Sequence, residues 1–365
     1  MSRLLLSLLL CAVGIAQAAT QSVEPGVFRA LNAAQLAQQQ GDYAAARRAL
    51  DGAKARPGSL EQALLWRSRG YLAWAQGQNV QAIDWLDRAL ASGTLDAESQ
   101  ANERLNLARL NLIERRYARV VELLAPGQAD AGEDALQLLA QAYQGQGQAA
   151  KALPLAERYV RANPRAADSW LQFLVAVNAE LERYPAAERW QRHLLARKPD
   201  DSRQWRQLAA LQQMAGGYAK ALATLRAAQA KGLRFSAAEL DNLVALAGAA
   251  GQPWQGAKLL SGMLESGLLG NSDQRQERLG LFWWQARERA RAAQVLRPLA
   301  ERSGRGELWL QVAQLELEQG HWQAGLAALS RAERAGSPGS KVRAWRQWAE
   351  SELRFERDNR LASRG

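Results

Sequence analysis

The chain has 365 residues, of which 72 are Ala but only 13 Val, 3 Ile and 3 Thr. So few β-branched residues exclude a large sheet, and the abundance of Ala favours helix throughout. Apolar residues make up 48% of the chain, which excludes wholesale disorder, and the formal net charge of +11 favours anionic partners.

In chain order, the first element reads as an export signal. Met1-Ser2-Arg3 precedes an apolar run from Leu4 to Ala16, and Ala16-Gln17-Ala18 supplies the small residues of a cleavage site. The run is shorter than the roughly 20 apolar residues that cross a bilayer. Cys11 follows Leu10, where a lipid-attachment site wants a small side chain. Cleavage after Ala18 leaves 347 residues, a charge of +10 and no cysteine. That removes disulfides, thiol nucleophiles and cysteine-ligated metals together. The expected location is the periplasm, with outer-membrane association compatible and no transmembrane span after cleavage. Export, and single Arg residues scattered through helical patterns, argue against nucleic acid; acidic proteins, anionic lipid and acidic glycan fit the charge.

Past a short polar lead (residues 19–27), a Gly-x-aromatic-x-x-Ala pattern recurs. It runs through Gly41/Tyr43/Ala46, Gly77/Asn79/Ala82, Arg115/Tyr117/Val120, Gly147/Ala149/Ala152 and Glu182/Tyr184/Ala187. It continues through Gly216/Tyr218/Ala221, Gln252/Trp254/Ala257, Arg287/Arg289/Ala292 and Gly320/Trp322/Gly325, with a worn copy near Glu356. From 41 to 356 is 315 residues in nine steps, a mean of 35. Each unit reads as two antiparallel helices. The first carries a large residue four before a small one, as in Trp66/Gly70, Trp205/Ala209, Trp309/Ala313 and Trp345/Ala349, so its partner can approach closely. The turn glycine tolerates the left-handed conformation that ends a helix, and the third, seventh and eighth units lack it at its usual place. Pro57, Pro164, Pro199 and Pro338 follow second helices, where a residue without a donor stops them. The stretch Pro126 to Gly132 reads as a long inter-repeat turn.

These residues resemble the tetratricopeptide repeat over about residues 28–355. The resemblance implies an all-α fold, an α-solenoid superhelix of about nine to ten helix-turn-helix units, with the array over 28–338 and a polar capping unit over 339–365. In such arrays the first helices line the groove that binds partners. Carried over position by position, the groove residues are Arg67 and Tyr71, then Asn102, Asn106 and Arg109, then Gln137 and Gln141, and finally Arg203 and Arg206. Forked Arg donors beside Asn suit a peptide backbone or carboxylate.

No catalytic residue, metal-ligand set or cofactor motif is predicted, and the chain is not expected to be an enzyme. His193 and His321 stand far apart with no acidic residue or histidine at ligand spacing, and Glu316/Glu318 read as a solvated pair. Gly145-Gln146-Gly147-Gln148-Ala149 mimics a dinucleotide-binding loop, but the helical run LQLLAQAY precedes it where a strand is required. The 13 Trp residues fall mostly at packing positions, with Trp74 and Trp284 the best candidates for exposure.

Within the tetratricopeptide class, about residues 135–300 resemble the proteins encoded beside TonB–ExbB–ExbD clusters, which are described as components of that energy-transduction system. The matching features are Trp170 at a helix start, Tyr184-Pro185-x-Ala187, Gly217-Tyr218-x-Lys220-Ala221-Leu222 and Gly232-Leu233. The resemblance implies a periplasmic adaptor acting on TonB- or ExbD-type envelope proteins. Assembly of the outer membrane, of exported polysaccharide or of pili is the alternative.

Overall fold

The computed structural model describes residues 23–362. The export segment and Cys11 lie outside the described residues. The chain divides into two compact units, one ending at Ala166 and the other beginning at Ala167. Both are all-α, and no strand occurs among the described residues.

Unit 1 holds four helical hairpins. They pair α1 (Pro25–Gln39) with α2 (Tyr43–Asp51), and α3 (Leu60–Ala75) with α4 (Asn79–Ala91). The others pair α5 (Ala97–Ile113) with α6 (Tyr117–Leu124), and α7 (Glu133–Gly145) with α8 (Ala149–Ala162). Most of the expected long turn after α6 is a short 3₁₀ helix, Ala125–Asp130.

Unit 2 holds five hairpins and a final helix. The first two pair α9 (Asp168–Glu180) with α10 (Tyr184–Arg197), and α11 (Ser202–Met214) with α12 (Tyr218–Ala230). The next two pair α13 (Ala237–Ala249) with α14 (Pro253–Glu265), and α15 (Asp273–Gln285) with α16 (Arg289–Ser303). The last pairs α17 (Gly306–Glu318) with α18 (Trp322–Arg334), and α19 (Gly339–Ala362) closes the chain.

One hydrogen bond closes every hairpin. The N–H of the residue before each second helix donates to a carbonyl five residues earlier, from Asp42 to Ala37 (2.8 Å) through Arg116 to Asn111 (2.7 Å) to His321 and Glu316 (2.9 Å). This is the six-residue closure of a Schellman turn, and it needs a left-handed residue between the partners. Glycine supplies it in six turns, but Arg115, Glu182 and Arg287 adopt it at φ 56, 56 and 62°. Two readings of the turns change accordingly. The seventh turn does have its glycine, Gly251 (φ 66°), one residue earlier than the motif places it, and the fifth turn lacks one.

Small residues set the distance between paired helices. A Cβ on Gly70 would lie 2.6 Å from the Leu86 side chain, and one on Gly280 would lie 2.4 Å from Leu296. Both pairs are 16 residues apart, the same contact in two hairpins. Ala209, Ala313 and Ala349 are buried at the corresponding sites. The leucines and alanines around them form the core.

The repeat does not restart near Glu356. α19 is a single 24-residue helix that runs through that position. It packs Val342 and Ala349 inward, and Trp348 meets Trp322 edge-on with ring centroids 5.3 Å apart. Among the described residues no helix is long and apolar enough to cross a membrane.

Candidate partner-binding surface

In unit 1 the first helices α3, α5 and α7 carry a continuous chain of polar side chains. Its centre is Glu103, fully buried on α5. From α3, Arg67 Nε lies 2.7 Å from Glu103 Oε1, and the Tyr71 hydroxyl donates to the same oxygen. Asn106 Nδ2 donates to the Tyr71 hydroxyl at 2.9 Å, and Arg109 Nη1 donates to Asn106 Oδ1 at 3.0 Å. Arg109 Nη2 then reaches Asp134 Oδ2 on α7 at 2.5 Å. Three repeats are thus tied through one network.

The electrostatics follow from burial. Desolvation raises Glu103 above the ordinary carboxyl value of 4.5, against the pull of Tyr71 and Arg67. Tyr71 is pushed up to about 12, first by burial and then by the facing carboxylate, so it remains a donor. Although burial works against the charge of Arg67, Glu103 and Tyr71 hold its guanidinium above the ordinary range. Glu103 Oε2 accepts no hydrogen bond among the described residues.

Four of the expected groove residues therefore meet in one place: Arg67, Tyr71, Asn106 and Arg109. Asn102 and Gln141 are exposed on α5 and α7, and Gln137 is half-buried on α7. In unit 2, Arg203 is exposed and turned back to Asp201, which caps α11. Arg206 pairs with Glu239 on α13 and donates to Ser202 Oγ at 2.6 Å. The same neighbour-to-neighbour contact recurs one step on, where Arg275 on α15 grips Asp241 on α13 through two bonds of 3.0 and 2.6 Å. Periodicity could have paired these residues in advance, since Arg206 and Glu239 stand 33 apart and Asp241 and Arg275 stand 34 apart.

Sequence reasoning missed Glu103 and misread Glu316. Neither departs from a solvated helix in composition; only the packing of a neighbouring repeat buries them. Glu316 is buried on α17, with Oε1 bound by Arg297 and Oε2 lying 2.9 Å from His321 Nδ1. His321 thus has an acidic partner five residues away in sequence. His193 is exposed on α10, its ring 5.7 Å from that of Trp190. Among the described residues no group of three or more His, Cys, Asp or Glu could hold a metal ion. The dinucleotide-like stretch is the turn between α7 and α8, with Gly147 at φ 69°. Trp74 is half-buried and stacks on Tyr71, and half-buried Trp284 donates to Glu318 at 3.4 Å. The exposed indoles are Trp254 and Trp348.

Helical hairpins closed by a recurring left-handed turn, and stacked through a small residue in the first helix, make this an all-α fold of repeated helix-turn-helix units. No family model and no curated protein matches the sequence. Among solved structures, a tetratricopeptide repeat protein from Parabacteroides merdae ATCC 43184 is 15% identical, covers 80% of this chain and 99% of its own, and has a TM-score of 0.39. MamA from Desulfovibrio magneticus RS-1 is 17% identical over 50% of this chain and 99% of its own, with a TM-score of 0.41. MamA of AMB-1 is 22% identical over 46% of this chain and 90% of its own, at 0.39. Likenesses this distant say nothing of what this chain binds.

Proposed function

We propose that this protein is a non-enzymatic periplasmic scaffold that binds other proteins, and that it serves as an accessory component of a TonB–ExbB–ExbD transport system. The observation that carries the scaffold reading is the polar network across α3, α5 and α7. Its donors are held in place before any partner arrives, so binding loses less side-chain entropy. Arg67 is committed to buried Glu103. Arg109 is not: its partner Asp134 is an exposed carboxylate, and such surface pairs are weak enough for a partner's carboxylate to replace it. Arg109 is the exchangeable contact point, and Asn102 and Gln141 are exposed on the same helices, α5 and α7, that carry Arg109 and Asp134.

The location and the transport system rest on the sequence: the N-terminal apolar run with its small-residue cleavage site, and the resemblance over about residues 135–300. The test has two parts. Deleting the gene should impair TonB-dependent uptake, and tagged protein should co-purify with TonB or ExbD. Unchanged uptake with neither protein captured would reject the reading. Crosslinking in cells to an outer-membrane, polysaccharide-export or pilus assembly factor instead would establish the alternative role in envelope assembly.

A further inference from the structure

The charge of unit 2 is sorted by helix. Its five second helices, α10, α12, α14, α16 and α18, carry twelve basic and four acidic residues, a net of +8. The five first helices, α9, α11, α13, α15 and α17, carry four basic and nine acidic residues, a net of −5. Hairpin stacking puts the two sets in different layers, so unit 2 has a basic side and an acidic side. Unit 1 is not sorted in this way. Its first helices are balanced at five and five, and its second helices carry seven basic and five acidic residues.

Part of the basic charge is consumed between the layers. Arg197 pairs with Asp168, Arg289 with Glu318, Arg297 with Glu316 and Arg302 with Asp273. Within the basic layer Arg192 pairs with Glu188 and Arg331 with Glu301. Arg189, Lys220, Arg226, Lys258 and Arg334 are exposed and make no ion pair among the described residues. They lie on four of the five helices. The layer also carries Tyr218 and Trp254, each more than a third exposed, in the first turns of α12 and α14.

We propose that this layer docks on an anionic phospholipid surface. The proposal is independent of the identity of any protein partner. Three features favour headgroups over a folded acidic protein. The charges are spread singly over several parallel helices, which matches a broad, laterally mobile array of phosphates rather than one cluster of carboxylates. Three of the five unpaired basic residues, Arg189, Arg226 and Arg334, are Arg, whose fork fits phosphate oxygens in pairs. Among the described residues of these helices only Tyr218 and Trp254 are exposed large apolar side chains, so the layer lacks the buried apolar centre that anchors a protein interface. Amphipathic Tyr and Trp rings, by contrast, settle at headgroup depth. The first helices, net acidic, form the other layer of the hairpins. Attraction of this kind multiplies over the charges within a Debye length of the surface and fades with salt.

Purified protein from residue 19 onward would be sedimented with vesicles of phosphatidylglycerol and phosphatidylcholine, and with phosphatidylcholine vesicles alone, at low and high salt. Binding is expected only to the mixed vesicles and only at low salt. Replacing Arg189, Arg226, Lys258 and Arg334 by Glu should lower it on the order of tenfold or more. Replacing Arg48, Arg88, Lys151 and Arg161 on the second helices of unit 1 by Glu makes the same change in net charge and should leave it within about twofold. Far-UV circular dichroism checks that both variants keep their helix. Three results would overturn the proposal: no binding to mixed vesicles, equal loss in both variants, or soluble polyglutamate or double-stranded DNA bound as tightly as the vesicles.

Discussion

Units 1 and 2 are built from the same hairpin, with the same turn closure and the same small-residue contact, yet they distribute their charge pairs differently. Unit 1 buries charge. Glu103 sits inside the stack, and Arg67 and Tyr71 are drawn in after it. Unit 2 also buries one carboxylate, Glu316, but lays most of its charge out on the surface, as pairs between neighbouring repeats whose members stay partly exposed, such as Arg206 with Glu239 and Arg305 with Glu277. The scaffold is indifferent to which is done, because hairpin stacking depends on the apolar and small positions. What changes is the energy at stake in each pair. An ion pair that has lost its water is expensive to break, whereas one in contact with water is nearly free.

That contrast is open to direct attack. The largest effect is expected from Arg67→Ala, which strands the Glu103 carboxylate without its cation. A loss of about 3 kcal/mol in urea unfolding is the expected result, while Arg206→Ala in unit 2 should cost less than about 1 kcal/mol. Equal costs would erase the distinction between the units. Next in size, Arg115→Gly and Glu182→Gly each relieve a side chain held in the left-handed region and should stabilise their own turns by about 1 kcal/mol. No gain in melting temperature for either would mean that the side chains there make contacts worth as much as the strain.

The smallest effect is the most diagnostic, because the two units should respond to acid with opposite sign. Glu103 has a folded-state pKa above its ordinary 4.5, so its contribution is most favourable below that pH and is lost as pH rises through the folded value. Asp241 is held below its ordinary 3.8 by hydrogen bonds from Arg275, so its contribution is present above that value and is lost as pH falls through the folded one. Compared with Glu103→Gln, the parent protein should therefore lose relative stability as the pH rises above the ordinary glutamate value. Compared with Asp241→Asn, it should lose relative stability as the pH drops below the ordinary aspartate value. Unfolding curves measured across the acid range would show both slopes, and parallel slopes would refute the contrast.

Much of the hairpin array was legible in advance. The spacing of Gly41, Gly77, Gly147, Gly216 and Gly320 marks real turns, because a left-handed position next to a helix end selects glycine through its own backbone sterics. Trp66 with Gly70 and Trp309 with Ala313 mark real first helices, because close approach needs a small side chain wherever it occurs. The candidate site was less so. Arg67, Tyr71, Asn106 and Arg109 could be placed on first helices, but not joined to one another. Tyr71 and Asn106 meet across 35 residues of sequence, and Glu103 carries no local sign of burial.

By itself, then, the order of residues determined what depends on near neighbours along the chain: helix, turn and the inward stripe of each hairpin. Tertiary structure decided what depends on which repeat lies alongside. It buried Glu103 and Glu316. It also sorted the charge of unit 2 between two layers. The physical reason is that helix and turn preferences act within a few residues, whereas desolvation and pairing of charges depend on water being excluded by atoms some thirty residues distant in sequence.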